Sequence, residues 1–396
     1  MNILVVQESD WIEKGPHTTH HLFERLSKKG HRINVIDFEI SWRNHKKEIS
    51  SKRKVFKNQH KAIKEGNITV IRPPIIKLPI LEYLSLLYTH RKEIKRQIAD
   101  FHPDVIIGFG ILNANIAGKL AKKKNIPFVY YLMDSLNELV PQKIFKPIAR
   151  IIESKNMKLA DKVISLNECL REYTIKLGAD IKKTEVIRSG IDLSRYNPKI
   201  KGDEIREKYG IKDYELVLFF MGWLYDFSGL KEVAVELLKY KNIKILIVGE
   251  GDAYKHLKKI SKEAGDRIIL TGKQPYEKIP EFISASDVCL LPAHNNKIMR
   301  DIVPIKMYEY MAMEKPVIST KLPGVILEFE ENNGVLYVDK PEDVVEKALK
   351  LDKKHTIKIE GKKARKFVER MDWSLLVDKF EESILEGVNK KSIQIR

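Results

Sequence analysis

The chain reads as an α/β protein built from two parallel-sheet units in tandem. Three observations lead there. Short apolar runs alternate with amphipathic stretches along most of the length, the pattern of βα units with helices on both faces of a sheet. Glycines follow several of these runs, at the strand ends where open parallel sheets bind ligands. The alternation breaks between residues 194 and 201, where Asn197-Pro198 and polar neighbours mark a joint. A length of 396 residues favours two domains, and 43% hydrophobic residues supply their cores. Two such units in tandem would face each other across a cleft.

In the first half, residues 2–7 are predicted as a buried strand. A loop with Gly15 and Pro16 follows, then a helix over 17–29 ended by Gly30. Strands are predicted at 32–37, 68–72, 106–109, 128–132, 163–166 and 184–187, with a helix over 113–124. Residues 41–66 are polar and basic without a strong period, and read as a loop and surface helix. In the second half, strands are predicted at 216–221, 243–248, 268–271, 288–291 and 316–319. Helices lie between them at 230–238, 254–264, 279–285 and 305–313. An amphipathic helix over 373–388 closes the pattern.

The net charge of +18 is unevenly spread. Residues 1–190 carry 35 Lys and Arg against 20 Asp and Glu, and residues 191–396 carry 37 against 34. The first half therefore suits an anionic partner, or else is a solvated lysine-rich face. Residues 75–96 sharpen the point: Ile80, Leu81, Leu84, Leu87 and Tyr88 run into Arg91, Lys92, Lys95 and Arg96. Such a helix can lie in an anionic membrane interface, or pack as an ordinary helix of the domain. No recognisable nucleic-acid module or stacking surface is present, so nucleic acid is not expected as a partner. No signal sequence and no spanning segment of ~20 apolar residues is visible. The two cysteines, Cys169 and Cys289, show neither disulfide nor zinc spacing and read as core thiols. A cytoplasmic protein, able to sit peripherally at the inner membrane face, is the expectation.

The most informative stretch is 301–320, DIVPIKMYEYMAMEKPVIST. Asp301 lies just before a helix that opens near Pro304, and Glu309 lies inside its first turns. Each carboxylate can accept hydrogen bonds from a sugar or ribose diol. The helix N-terminus offers N–H groups and a positive dipole end, which suit a phosphate. Hydroxyls and phosphate together point to a nucleotide-sugar. The bland alternatives are a helix cap for Asp301 and a surface pair with Lys306 for Glu309. His17, His20 and His21 have the spacing of a metal face, but no carboxylate or cysteine joins them. They read as helix-surface or partly buried side chains. No metal and no cofactor is expected, the nucleotide-sugar being a substrate.

Further marks fall in order along the chain: GHRINVID, HPDVIIGFG, ADKVISLNECLREY, VIRSGIDLSRYNP, IKILIVGEGD and IILTGKQPYEKIPEFISASDVCLLP, then the acid block running into EKPVIST. With the opening strand and glycine loop, they resemble the retaining GT-B glycosyltransferases of family 4 over essentially the whole chain. The resemblance implies two Rossmann-like domains, at 1–194 and 195–374, with a terminal helix, 375–396, crossing back to the first. It implies a metal-independent glycosyltransferase of hexosyltransferase type, working in glycan biosynthesis. A nucleotide-sugar donor is held mostly by the second domain, and a sugar or lipid-linked acceptor by the first. Glu309 is then placed on the ribose, Asp301 on the transferred sugar, and the backbone N–H groups of Ile302 and Val303 on the diphosphate. Gly222, Gly249, Gly251 and Gly272 belong to the donor loops. On the acceptor side stand Gly15 and His17, and Asp134 in YYLMDSLNE meets acceptor or sugar, or merely caps a helix.

Two departures from the family matter. The first acid is usually Glu and here is Asp301. The family also carries an Arg and a Lys–Gly after the first strand of the donor domain, which neutralise the diphosphate. Here the segment is GWLYDFSG, with Trp223 and Ser228 at those places. A leaving diphosphate needs stabilising charge, and single electrostatic donors typically supply a few kcal/mol. Three readings stay open. Lys306, Arg300 or Arg188 replaces the cations; Ser228 and loop amides suffice; or the chain is a non-catalytic nucleotide-sugar-binding protein with a degenerate site.

Overall fold

The computed structural model describes residues 1–13, 16–40, 49–140, 143–351 and 355–393. It divides into two compact units, one of residues 1–190 together with the chain from 373 onward, the other of residues 191–372.

The first unit runs β1 (Asn2–Val6), α1 (Thr18–Lys28), β2 (Arg32–Ile36), β3 (Lys54–Gln59), β4 (Ile68–Arg72), α2 (Leu81–Asp100), β5 (Val105–Gly108), α3 (Leu112–Lys124), β6 (Phe128–Leu132), α4 (Lys146–Leu159), β7 (Lys162–Ser165), α5 (Glu168–Lys176) and β8 (Thr184–Val186). Among the described residues its sheet has the order β3-β4-β2-β1-β5-β6-β7-β8. All neighbours are parallel except β3 on β4. Ile3 pairs with both Ile33 and Val105, so β1 is central and its apolar run is buried on both faces. Strand β3 corrects the expectation of a loop and surface helix over 41–66. KVFKNQ is an exposed edge strand whose alternation is too weak to read from sequence, and pairing with β4 decides it. Residues 41–48 lie outside the described residues.

The second unit runs α6 (Asp203–Lys208), β9 (Leu216–Met221), α7 (Leu230–Leu237), β10 (Ile243–Val248), α8 (Tyr254–Ala264), β11 (Ile268–Leu270), α9 (Ile279–Ser284), β12 (Val288–Leu291), α10 (Ile305–Ala312), β13 (Val317–Thr320), α11 (Pro323–Phe329), β14 (Val335–Val338), α12 (Asp343–Leu349) and α13 (Thr356–Glu369). Its sheet is wholly parallel, in the order β11-β10-β9-β12-β13-β14. The order reverses direction between β9 and β12. A crevice at the carboxyl ends of those two strands is where such sheets bind ligands. Strand β14 and the helices α11 to α13 lie where no element is predicted from sequence.

The last helix, α14 (Trp373–Ile393), packs into the core of the first unit through Trp373, Val377, Phe380 and Ile384. Phe380 meets Phe23 of α1 edge to face at 5.9 Å, and Trp373 stacks on His21 at 4.7 Å. Gly190 makes room for that indole, since a Cβ there would stand 2.4 Å from it. Cys289 is a core thiol as expected, but Cys169 is only half-buried, at the start of α5.

Candidate active site

Helix α10 is fixed to the end of β9 by its buried face. The Tyr310 ring packs edge-on to Phe219 at 5.7 Å, and its hydroxyl accepts a hydrogen bond from the Met221 N–H at 2.9 Å. Pro304 stands at the N-cap with extended ψ of 132°, which starts the helix at Ile305. Lys306 lies one turn before Tyr310 and so falls beside the strand end, at the reversal point of the sheet. Its ammonium sits 4.1 Å from the centre of the Phe220 ring. It makes no hydrogen bond or ion pair with a described residue. Loss of water around it lowers its pKa to about 8, against a smaller opposing pull from Glu309.

Gly222, the first residue after β9, provides the space. Its φ is +125°, and a Cβ built on it would lie 2.7 Å from the Lys306 Nζ. The neighbouring loops are laced to it by backbone. The Gly222 N–H donates to Val248 O at 3.0 Å, Leu224 N–H to Glu250 O at 2.9 Å, and Gly249 N–H to Gly272 O at 2.9 Å. Gly249 is obligatory in a steric sense, because a Cβ there would fall 2.0 Å from the Gly222 carbonyl. Gly251 packs on Leu224, whose N would stand 2.6 Å from such a Cβ, while Gly272 faces open space at φ +69°. Four glycines singled out from sequence thus come together beside Lys306 as the ends of β9, β10 and β11.

Glu309 is 6% exposed. Its Oε1 accepts hydrogen bonds from the Tyr196 hydroxyl at 2.6 Å and the Tyr276 hydroxyl at 3.2 Å. Oε2 accepts none from a described residue. Burial raises the carboxyl above its ordinary value, and the two phenols pull it back. Burial, then the carboxylate, raises both phenols, Tyr276 to about 12, so both remain donors. The Arg195 guanidinium covers the Tyr276 ring at 4.6 Å. Glu309 is therefore a fixed acceptor with one oxygen to offer, and not a surface partner of Lys306.

Trp223 is exposed, beside the half-exposed Tyr225. Ser228 is the reverse: it is 5% exposed, and its buried Oγ has no hydrogen-bond partner among the described residues. Asp301 is exposed, with Arg300 Nε at 3.5 Å, and caps no helix, because the N-cap is Pro304. Of the two N–H groups expected at a diphosphate, that of Ile302 donates to Met299 O at 3.3 Å, while that of Val303 makes no backbone bond among the described residues. Ile302 is thus the weaker of the pair, because a turn has taken its N–H.

The remaining candidates lie in the first unit. Asp134 is exposed beyond β6 and makes no hydrogen bond with a described residue; Ser135, not Asp134, precedes the short helix that follows. Arg188 is half-buried just after β8. Gly15 lies outside the described residues. His17 is exposed at the N-cap of α1, and its N–H donates to His20 Nδ1 at 3.1 Å. His20 is buried, with Nε2 3.1 Å from Trp11 O, and burial lowers its pKa to about 4. His21 stacks on Trp373. His20 and His21 thus turn to different structural partners, Trp11 and Trp373.

Sequence reasoning missed Tyr196, Tyr276 and Arg195. The tyrosines stand in RYNP and QPYEK, inside motifs quoted above, but nothing in their spacing places them on Glu309.

The comparisons agree with this architecture. Residues 201–370 match the family model described as glycosyl transferases group 1, and residues 17–195 the model described as glycosyltransferase family 4. Among curated relatives, the putative teichuronic acid biosynthesis glycosyltransferase TuaC of Bacillus subtilis is 27% identical over 259 residues, covering 63% of this chain and 61% of that protein. The Escherichia coli UDP-Gal:alpha-D-GlcNAc-diphosphoundecaprenol alpha-1,3-galactosyltransferase is 25% identical over 256 residues, 62% of each. The matched region spans about three fifths of the length of these relatives. HepE of Anabaena in complex with UDP superposes with a TM-score of 0.71 at 16% identity, covering 98% of this chain and 100% of that one. Sucrose-phosphate synthase of Thermosynechococcus elongatus gives 0.70 at 17%, covering 97% and 98%. At such identities the likeness is one of fold, and that fold is GT-B.

Proposed function

The chain belongs to the family 4 glycosyltransferases, and from that premise we propose that it transfers a sugar from a nucleotide-sugar to an acceptor hydroxyl with retention of configuration. The observation that carries this reading is the pair on α10. Lys306 is a cation with no ionic partner among the described residues, beside the glycine loops, and Glu309 is a held carboxylate one turn away with Oε2 to spare.

In this reading Glu309 Oε2 accepts from the ribose diol, and Asp301 accepts from hydroxyls of the transferred sugar. Lys306, with the Val303 N–H and the Ser228 hydroxyl, takes the charge that develops on the diphosphate as the bond from the anomeric carbon to the phosphate oxygen breaks. The acceptor oxygen bonds to that carbon on the same face, and its proton passes to the departing phosphate oxygen. Lys306 thereby does what an Arg and a Lys do elsewhere in the family. HepE was solved with UDP, and the E. coli relative is named for a diphosphoundecaprenol acceptor. A uridine nucleotide donor and a lipid-linked saccharide or cell-surface glycan precursor are the first substrates to try.

Isothermal titration with nucleoside diphosphates and a panel of nucleotide-sugars tests the site. Transfer assays with the anomer of the product assigned by proton NMR test the reaction. Affinity for a nucleoside diphosphate with turnover to a retained product is expected. Binding with no turnover on any acceptor would instead favour a nucleotide-sugar-binding protein, the reading suggested by Trp223 and Ser228.

A further inference from the structure

The sheet of the first unit also reverses its order, between β1 and β5. Helix α3 starts there, just beyond the end of β5. Its N-cap is Ile111, whose side chain accepts no hydrogen bond, so the N–H groups of the first turn must be met from elsewhere. Glu8, in the loop after β1, meets them: its Oε1 accepts from the Asn113 N–H at 2.6 Å. Burial raises the Glu8 carboxyl above its ordinary value, and hydrogen bonds from the backbone of Asn113, Ile111 and Leu112 oppose the rise. Gly110, at φ +94°, leaves the room, because a Cβ there would stand 2.8 Å from the Glu8 carboxyl carbon. A helix start of this kind is a ready site for a phosphate. Here the chain's own carboxylate occupies it.

The groups left over at this strand end are mostly acceptors. Asn113 Nδ2 donates to Gln7 O at 3.0 Å, and Gln7 Nε2 to Ser9 O at 3.1 Å. Asn113 Oδ1 and Gln7 Oε1 stay buried with no partner among the described residues, as does Asp10 Oδ2. Trp11 Nε1 is the one donor in that condition in the loop after β1, among the described residues. The cation at the end of β4, Arg72, is spent on Asp10 at 2.5 Å and Asp37 at 2.6 Å. Asp134 adds an exposed carboxylate beyond β6. Hydroxyls satisfy such acceptors, directly or through a bridging water, and a second anion does not. The reversal point of the other sheet is the converse, with a Lys306 ammonium that has no ionic partner among the described residues.

We propose that Glu8 selects the acceptor: by occupying the N–H groups that open α3, it closes the first unit's reversal point to phosphate and leaves it to an uncharged saccharide. This narrows the proposed transfer reaction, on which it rests, to acceptors whose reacting end carries hydroxyls and no phosphate. The phosphates of a lipid-linked acceptor would then lie outside this crevice. Glu8 sets specificity in this way without taking part in bond making or breaking.

One test needs no transfer. The full chain carrying Lys306→Met, which removes the donor-side cation, is titrated with inorganic phosphate. Adding Glu8→Ala should tighten phosphate binding at least about tenfold, because filled space and like charge go together. Adding Glu8→Gln, which keeps the space filled, should change it far less. The other test compares kcat/KM for methyl hexosides and their 6-phosphates in protein with Lys306 intact. Wild type should favour the uncharged partner of each pair by about tenfold or more. Glu8→Gln should narrow that ratio severalfold by removing the charge, and it decides the matter if Glu8→Ala does not fold. A merely structural tie between Glu8 and α3 would lower both rates together and leave the ratio unmoved. An unmoved ratio in Glu8→Gln, a wild type that favours the phosphorylated partner, or phosphate binding no tighter in Glu8→Ala overturns the proposal. Loss of all transfer would strike the transfer reading alone, with the phosphate titration still deciding what Glu8 excludes.

Discussion

The ammonium of Lys306 occupies the space that a side chain on Gly222 would need, with 2.7 Å between Nζ and a Cβ built at that glycine. Gly222 follows β9 and Lys306 lies on α10, and their closeness follows from Tyr310 holding α10 against β9. Gly222→Ala should therefore do two things. A non-glycine residue at φ +125° costs ~1–3 kcal/mol, read as a lower melting temperature. Displacement of Lys306 should lower turnover by an order of magnitude or more. Wild-type turnover in this variant would remove Lys306 from the reaction.

Tyr196→Phe keeps a fully buried ring and deletes the 2.6 Å donor to Glu309. Hydrogen bonds to a charged group are worth ~1.5–3 kcal/mol, so nucleotide affinity should fall about tenfold or more. Tyr276→Phe, whose bond is 3.2 Å, should cost less. Equal affinities across wild type and both variants, measured by titration calorimetry, would mean that Glu309 does not hold the ribose.

The pH dependence follows from Lys306. Its pKa is about 8 in the folded protein, and the anionic diphosphate needs its charged form. Donor affinity should hold below pH 8 and fall as pH rises above it. Lys306→Arg should flatten the profile, because a guanidinium stays charged there. For folding the sign is opposite. A pKa depressed from 10.5 means that the unfolded chain binds the extra proton between pH 8 and 10.5, so wild type should gain stability over Lys306→Met in that window. A donor affinity that is flat to pH 9.5 in wild type would contradict the assignment.

Ser228 carries a buried hydroxyl without a partner among the described residues, a cost of ~1–3 kcal/mol unless something supplies one. Ser228→Ala should leave the unliganded protein as stable or more so, and weaken diphosphate binding severalfold. A parallel rise in stability of the free and the liganded protein would show that no ligand uses the hydroxyl.

Trp373→Ala tests the terminal helix. The indole is 2% exposed between Gly190, His21 and the Arg25 guanidinium, and loss of such a side chain costs ~3–5 kcal/mol. In calorimetry the transition of the first unit should move down, and that of residues 191–372 should not. A uniform shift of both would refute the placement of α14 in the first core alone.

Much of the molecule was legible in the sequence because its signals are local. Buried parallel strands such as LVLFFM and IKILIV are unbroken apolar runs, and the glycines that end them mark close backbone approaches. Asp301, Lys306 and Glu309 could be read together because they share one loop-to-helix segment. Tertiary structure alone decided the rest. Residue 196 lies 113 positions from Glu309 and residue 276 lies 33, and a hydrogen bond across such distances leaves no periodicity to detect. Strand β3 exists because β4 offers it an edge. The step from Lys306 to Gly222 is set by packing between α10 and β9. A chain carries its own pattern of burial, whereas what stands opposite each side chain is fixed only when the sheet order is.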